Sequence, residues 1–247
     1  MIVKRPLAAI LIVLVILIFQ HPYSALAETP VPILVYHSID TYKGHGDREL
    51  FVTPDHFERQ MIYLKTHGYT LLTFEDWDQL NHVQKPIFIT LDDGYKNNEI
   101  VLSIFKKLKD NSFNPKATLF VIADFIGRPN RLTKEDLRTL SDSGYFSVQS
   151  HTSDHPDLTK IHNLTYELGH SKKVIEGITS KPVLALSYPY GGYNETVIKV
   201  MKTYYQFGLT TDPGYVNKQH YNPYELPRIY VKNSTTIEAF AHSILKD

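Results

Sequence analysis

The order of apolar and amphipathic segments predicts a single α/β domain built on a parallel sheet of about seven or eight strands. Three observations carry this expectation. Strand-like runs alternate with helix-like segments along most of the chain, which requires crossover connections. Residues 87–91 and 117–122 are apolar almost throughout and read as buried strands. The chain of 247 residues suits one well-buried domain and falls within the size range of an α/β barrel. With that many strands, a barrel is expected rather than an open sheet.

The first residues stand apart from this pattern. Lys4 and Arg5 precede an unbroken apolar run of 13 residues from Leu7 to Phe19, and Ala25-Leu26-Ala27 follows as a small-x-small tripeptide. This is the layout of a secretory signal over 1–27, cleaved after Ala27, and it places the mature protein outside the cell or at its surface. The run is short of the roughly 20 residues that cross a bilayer. Retention as an anchor is the alternative, and the only membrane contact expected. The domain then covers 29–247.

Within it, Ile33-Leu34-Val35-Tyr36 is the first strand. Thr53-Pro54 reads as an N-cap followed by proline in the first turn, opening a helix over 54–67 that Gly68 stops. A strand over 69–72, the strand over 87–91, a helix over 98–111 and the strand over 117–122 follow. Thr133-Lys134-Glu135-Asp136 resembles a capping box, with Asp for the usual Glu, and heads a helix ending near Gly144. A strand over 146–150, a helix over 164–178, a strand over 183–188, a helix over 196–204, strands over 207–210 and 226–231, and a helix from Ile237 complete the chain.

Composition narrows the function classes. Twenty-six basic and 26 acidic residues balance, so no nucleic acid or other polyanion is expected as a partner. No cysteine is present, which removes disulfides and a lipid anchor on cysteine. Seventeen Tyr and 12 Phe could offer rings to sugar faces, although ordinary packing accounts for most aromatic residues. No internal repeat or linker divides the chain, and a monomer is expected.

The chemistry-bearing residues sit just after strands, where sites form in parallel α/β folds. Asp92-Asp93-Gly94 follows one strand, His151-Thr152-Ser153-Asp154-His155 another, and Tyr190-Gly191 a third. Adjacent carboxylates leaving a strand point in different directions, so one can ligate a cation while the other faces water. Asp-Gly is equally a common turn pair. Two histidines four apart can meet one cation through imidazole nitrogen, and with a carboxylate they leave coordination positions open, as catalytic sites do.

Thr90-Leu91-Asp92-Asp93-Gly94, the segment Ser150-His151-Thr152-Ser153-Asp154-His155-Pro156-Asp157-Leu158, and Tyr188-Pro189-Tyr190-Gly191 resemble the first three motifs of the polysaccharide deacetylases. These form carbohydrate esterase family 4, also called the NodB homology domain. Val31 to His37 and Leu226-Pro227-Arg228-Ile229 are similar to its extracellular bacterial members, so the resemblance spans 31–231. It implies a distorted (β/α) barrel of about seven strands and metal-dependent hydrolysis of N-acetyl groups on a GlcNAc-containing polysaccharide. Asp92 becomes the general base. Asp93, His151 and His155 become the ligands of one divalent metal, with Zn2+ the default and Co2+ or Ni2+ as alternatives. Thr152 would brace the ligand loop, and Tyr190 would line the substrate groove and offer its backbone N–H to the oxyanion.

The chain departs from the family pattern in two places. The Arg expected three residues before Tyr190, which pairs with the catalytic Asp, is Ser187. Arg228 is the candidate replacement, with a purely structural charge as the alternative. The late motifs lack their Trp and His. The only Trp is Trp77, so the general acid is sought among His37, His220 and His242, and His37 is preferred because it ends the first strand. Tyr188 is a second substrate-binding candidate, and Tyr36, Tyr193 and Phe125 could also meet sugar. The missing Arg and the Tyr-Pro-Tyr-Gly form are similar to the branch acting on biofilm poly-β-1,6-GlcNAc. Peptidoglycan and chitin oligomers stay open as substrates, as does a weakly active or non-catalytic glycan-binding module.

Overall fold

The computed structural model describes residues 30–245. The segment read as a leader, 1–27, lies outside the described residues. Among those described, no helix is long and apolar enough to cross a membrane. The elements in chain order are β1 (Ile33–Tyr36), β2 (Ser38–Ile39), β3 (Phe51–Val52), α1 (Pro54–Thr66), β4 (Thr70–Leu72), β5 (Pro86–Leu91), α2 (Ile100–Leu108), β6 (Ala117–Val121), α3 (Lys134–Asp142), β7 (Phe146–Ser150), α4 (Ser171–Thr179), β8 (Ala185–Ser187), α5 (Glu195–Met201), β9 (Phe207–Leu209), β10 (Ile229–Tyr230) and α6 (Ile237–Ile244).

Seven strands lie side by side in the order β10-β1-β5-β6-β7-β8-β9, every pairing parallel, and β4 adds to the first half of β5. The sheet curves into a half-barrel. Between its two edges one parallel bridge forms, Leu209 to Leu226, with hydrogen bonds from the N–H groups of Leu226 to Gly208, Thr210 to Leu226 and Arg228 to Asp212. Pro227 interrupts the predicted strand over 226–231: it has no N–H to donate, and paired strand begins only at Ile229. On the other side, β8 is shorter than predicted because the N–H groups of Leu184 and Ala185 donate to the Gln149 side chain rather than to a strand.

Alternation sorts the strand residues into two cores. Ile87, Ile89 and Leu91 face outward and pack with Val101, Ile104, Phe105 and Leu108 of α2. Phe88 faces inward, where it meets Ile33, Phe120, Ala185, Phe207 and Leu209 from four other strands. A short helix over Phe74–Asn81, unforeseen from the sequence, adds Phe74, Trp77 and Leu80 to this inner core. It closes the N-terminal mouth of the half-barrel, held by Asp76 to Lys116 at 2.9 Å and Glu75 to Ser147 at 2.7 Å. Continuing inward along β5, Phe88, Thr90 and Asp92 form one row, which puts Asp92 at the upper rim.

The helix caps follow the expected chemistry. Thr53 accepts from the His56 N–H ahead of Pro54, and Thr133 with Asp136 forms the reciprocal box on α3. The predicted helix over 98–111 is trimmed at its C-terminal end. Asp110 accepts from the N–H groups of Ser112 and Phe113 and turns the chain out of the helix.

Candidate active site

Asp92, Asp93, His151, His155, His37, Tyr188, Tyr190 and Arg228 all line one cavity of 250 Å3 at the C-terminal ends of the strands. His220 and His242 are exposed and do not reach it. Tyr36 is buried beneath the rim with its hydroxyl donating to Gln60.

The chain leaves β5 and β7 in conformations that L-residues rarely adopt. Asp93 (φ 71°), Thr152 (φ 67°), His155 (φ 58°) and Tyr190 (φ 59°) are all left-handed, and a β-branched residue such as Thr152 is strained there. Neighbouring groups hold that loop in place. Thr152 Oγ1 accepts from the His155 N–H at 3.0 Å, and the carbonyls of Thr152 and Ser153 accept from Ala123 and Asp124. From below, Glu167 Oε2 accepts from the N–H groups of Ser153 and Asp154 at 2.9 and 3.0 Å. Glu167 belongs to a π-turn, Tyr166–His170, that precedes α4 where one continuous helix was expected. At the third loop, Gly191 is required: a Cβ there would sit 2.1 Å from Thr211 Oγ1.

These constraints bring three donor atoms together. His151 Nε2 and His155 Nε2 are 3.1 Å apart, and each lies 3.5–3.6 Å from Asp93 Oδ1. A tetrahedral centre with ligand bonds of about 2.0–2.2 Å sets neighbouring donors roughly 3.3–3.6 Å apart, so the triangle has the dimensions of a cation site. The two imidazoles differ in their protonation. His151 Nδ1 lies 2.7 Å from the Ser187 carbonyl, so Nδ1 carries a proton and Nε2 is the atom turned toward Asp93 and His155. Burial opposes a charge on His151, but Asp93 and Asp92 outweigh it and raise its pKa. Burial, followed by the neighbouring His151, lowers the pKa of His155 to about 4, which keeps that imidazole neutral and able to ligate.

Asp92 stands beside the triangle, buried and ionised. Arg228, itself 2% exposed, grips it with both ends of its fork: Nη1 to Oδ1 at 2.9 Å and Nη2 to Oδ2 at 2.8 Å. Ser187 Oγ also donates to Asp92 Oδ2 at 3.0 Å and accepts from Arg228 at 2.9 Å. Arg228 Nε is anchored on the Thr210 carbonyl. Burial alone would raise the Asp92 pKa; Arg228, then His151, outweigh it and hold the carboxyl below its usual range. The cation absent at position 187 is therefore supplied from the edge of β10, with Ser187 bridging.

His37 projects into the same cavity from the end of β1, stacked on Tyr230 with ring centroids 5.3 Å apart. Burial lowers its pKa, opposed by the charges of Asp92 and Asp93. Tyr190 is 71% exposed and stands edge-on to His155, open to a ligand. Tyr188 differs from expectation. Its ring is fully buried against Tyr193 and its hydroxyl donates to the Tyr224 carbonyl, so it offers no free face to a sugar. Phe125 lies under the guanidinium groups of Arg128 and Arg131, outside the cavity. Leu50, Thr211 and Tyr230 line the cavity without having been singled out, since their loops carry no motif.

The model of the polysaccharide deacetylase family matches residues 79–208. The crystal structure of a polysaccharide deacetylase from Bacillus cereus is 46% identical in sequence and superposes with a TM-score of 0.85, covering 87% of this chain and 69% of that one. The Bacillus subtilis protein YxkH, whose polysaccharide deacetylase name is provisional, is 34% identical over 219 residues, 85% of this chain and 74% of its own. A poly-β-1,6-N-acetyl-D-glucosamine N-deacetylase of Staphylococcus epidermidis is 28% identical over 202 residues, 74% of this chain and 68% of that protein.

Proposed function

Because the chain belongs to the polysaccharide deacetylase family, hydrolases that act on N-acetyl amides, we propose that it removes N-acetyl groups from an extracellular GlcNAc polymer and releases acetate. The observation that carries this reading is the pairing of two units in one cavity. A donor triangle of cation-site dimensions, Asp93–His151–His155, lies beside a buried carboxylate, Asp92, that Arg228 keeps ionised.

A divalent cation held by that triangle, with zinc as the default for two imidazoles and one carboxylate and cobalt or nickel as alternatives, would polarise the acetyl carbonyl and acidify a water. Asp92 accepts the proton of the attacking water. Arg228 and Ser187 aim its carboxylate and prevent it from protonating at rest. The Tyr190 N–H faces the developing oxyanion, and the exposed Tyr190 ring meets the sugar. His37 supplies a proton to the departing amine, which is otherwise a poor leaving group.

Poly-β-1,6-GlcNAc is the proposed polymer, supported by Ser187 in place of Arg and by the Staphylococcus epidermidis relative. Export and cell-surface action rest on the leader-like segment at 1–27 alone. A glycan-binding module without chemistry is disfavoured, because binding requires no clamped carboxylate next to a cation site. Acetate release from GlcNAc polymers of β-1,6 and β-1,4 linkage tests the reading, with Asp92→Asn as control. Acetate from the wild type and none from the variant is expected. Retained polymer binding without acetate from any polymer would establish the module instead.

A further inference from the structure

Arg228 and Tyr230 both reach the active-site cavity from the start of β10, two residues apart and so on one face of the chain. Arg228 clamps Asp92. The parallel register of β10 on β1 sets Tyr230 beside Val35, and its ring stacks on His37, two residues further along the same inner row. The Tyr230 hydroxyl lies 3.2 Å from His37 Nε2 and 3.3 Å from Nδ1. We infer that Tyr230 is the positioning residue of the acid: it holds one nitrogen of the His37 ring on its hydroxyl and leaves the other turned to the departing amine. The inference rests on the deacetylase reading above.

Three features support that role. First, the contact is exclusive. Among the described residues, neither the His37 ring nor the Tyr230 hydroxyl has another hydrogen-bond partner. Which nitrogen of a histidine carries the proton is set by the bond that the other nitrogen makes, and here only Tyr230 makes one. Second, the ring plane is fixed from both sides. The two rings stack at an angle of 24°, the Val231 N–H ties β10 to the Val35 carbonyl at 3.0 Å, and Asn98 Nδ2 donates to the His37 carbonyl at 2.8 Å. Third, Tyr230 keeps its own proton. Burial, followed by the charge of Asp92, outweighs Arg228 and raises its pKa. A neutral phenol accepts from an imidazolium N–H without competing with it as the acid.

In the step itself, the His37 nitrogen facing the substrate gives its proton to the amine nitrogen as the C–N bond of the tetrahedral intermediate breaks. The other His37 N–H stays on the Tyr230 oxygen, so the phenol is unchanged and the imidazole ends neutral. β10 then aims both halves of the reaction, the base through Arg228 and the acid through Tyr230.

Tyr230→Phe keeps the stacked ring and removes only the hydroxyl. The test measures this variant, His37→Ala and the double variant on GlcNAc tetramers of β-1,6 and β-1,4 linkage. It adds p-nitrophenyl acetate, whose p-nitrophenolate leaves without a proton. Tyr230→Phe should lower kcat on the preferred tetramer about tenfold or more, with KM and ester turnover within about twofold of wild type. In the His37→Ala background it should change tetramer turnover by less than about twofold, because the ring it serves is gone. Unchanged tetramer turnover in Tyr230→Phe would overturn the inference. Equal losses on tetramer and ester would also overturn it, as would an undiminished loss in the His37→Ala background. If wild type releases no acetate from either tetramer, the deacetylase reading fails, and the nitrogen chemical shifts of the His37 ring decide the contact. Shifts that move on Tyr230→Phe uphold the hold of Tyr230 on the ring, and shifts that stay in place reject both.

Discussion

A carboxylate buried at the end of an apolar strand keeps its charge only when something compensates it, and at Asp92 that partner is Arg228. Removing one member of such a pair leaves the other charge stranded, so Arg228→Ala should cost about 3–5 kcal/mol of stability. It should also lower acetate release by about a hundredfold or more. Ser187→Ala removes one neutral donor and should cost less than about tenfold. Equal rates for wild type and Arg228→Ala would end the assignment of Arg228 as the aiming cation. In the sequence, Arg228 was a candidate because the family resemblance calls for an Arg where Ser187 stands, with a purely structural charge as the alternative. The double-ended grip and the role of Ser187 as a bridge were not readable, because they depend on how the two ends of the sheet approach each other. His37 makes a separate prediction. An acid must be protonated to act, so wild-type activity should fall as pH rises past its pKa. A pH–rate profile of His37→Ala in which that basic limb persists unchanged would remove His37 from the mechanism.

At the scale of elements, the segment after the ligand loop does more than pack. The π-turn over Tyr166–His170 sets Glu167 beneath Ser153 and Asp154, and that carboxylate satisfies two backbone N–H groups of a strained loop. Glu167→Ala should therefore weaken cation binding by about 10–100-fold, as loss of support behind a ligand typically does. Glu167→Gln, which retains an acceptor oxygen, should stay within about threefold of wild type. Calorimetric titration of Zn2+ into chelator-treated protein measures both, and wild-type affinity in Glu167→Ala would show that the loop holds itself. A helix over 164–178 was legible from periodicity. The π-turn was not, because its one-residue shift moves Glu167 inward without altering the pattern of apolar positions nearby.

For the whole molecule, the legible part was the order of strands and the fact that motifs follow β5, β7 and β8. Parallel strands put all their C-terminal ends on one rim, so residues as distant as His37, Asp93 and His155 meet in one cavity. Elements set by side-chain capture of the backbone were not legible, such as the shortened β8 beside Gln149 and the short helix carrying Trp77. The central claim joins one cation to one reaction. Acetate release from a GlcNAc polymer, followed while Zn2+ is added back to chelator-treated protein, tests it most directly. Activity that is abolished by the chelator, returns at about one equivalent and never returns in Asp93→Asn is the expected result. Full activity in the chelated wild type, or full recovery in Asp93→Asn, would contradict it.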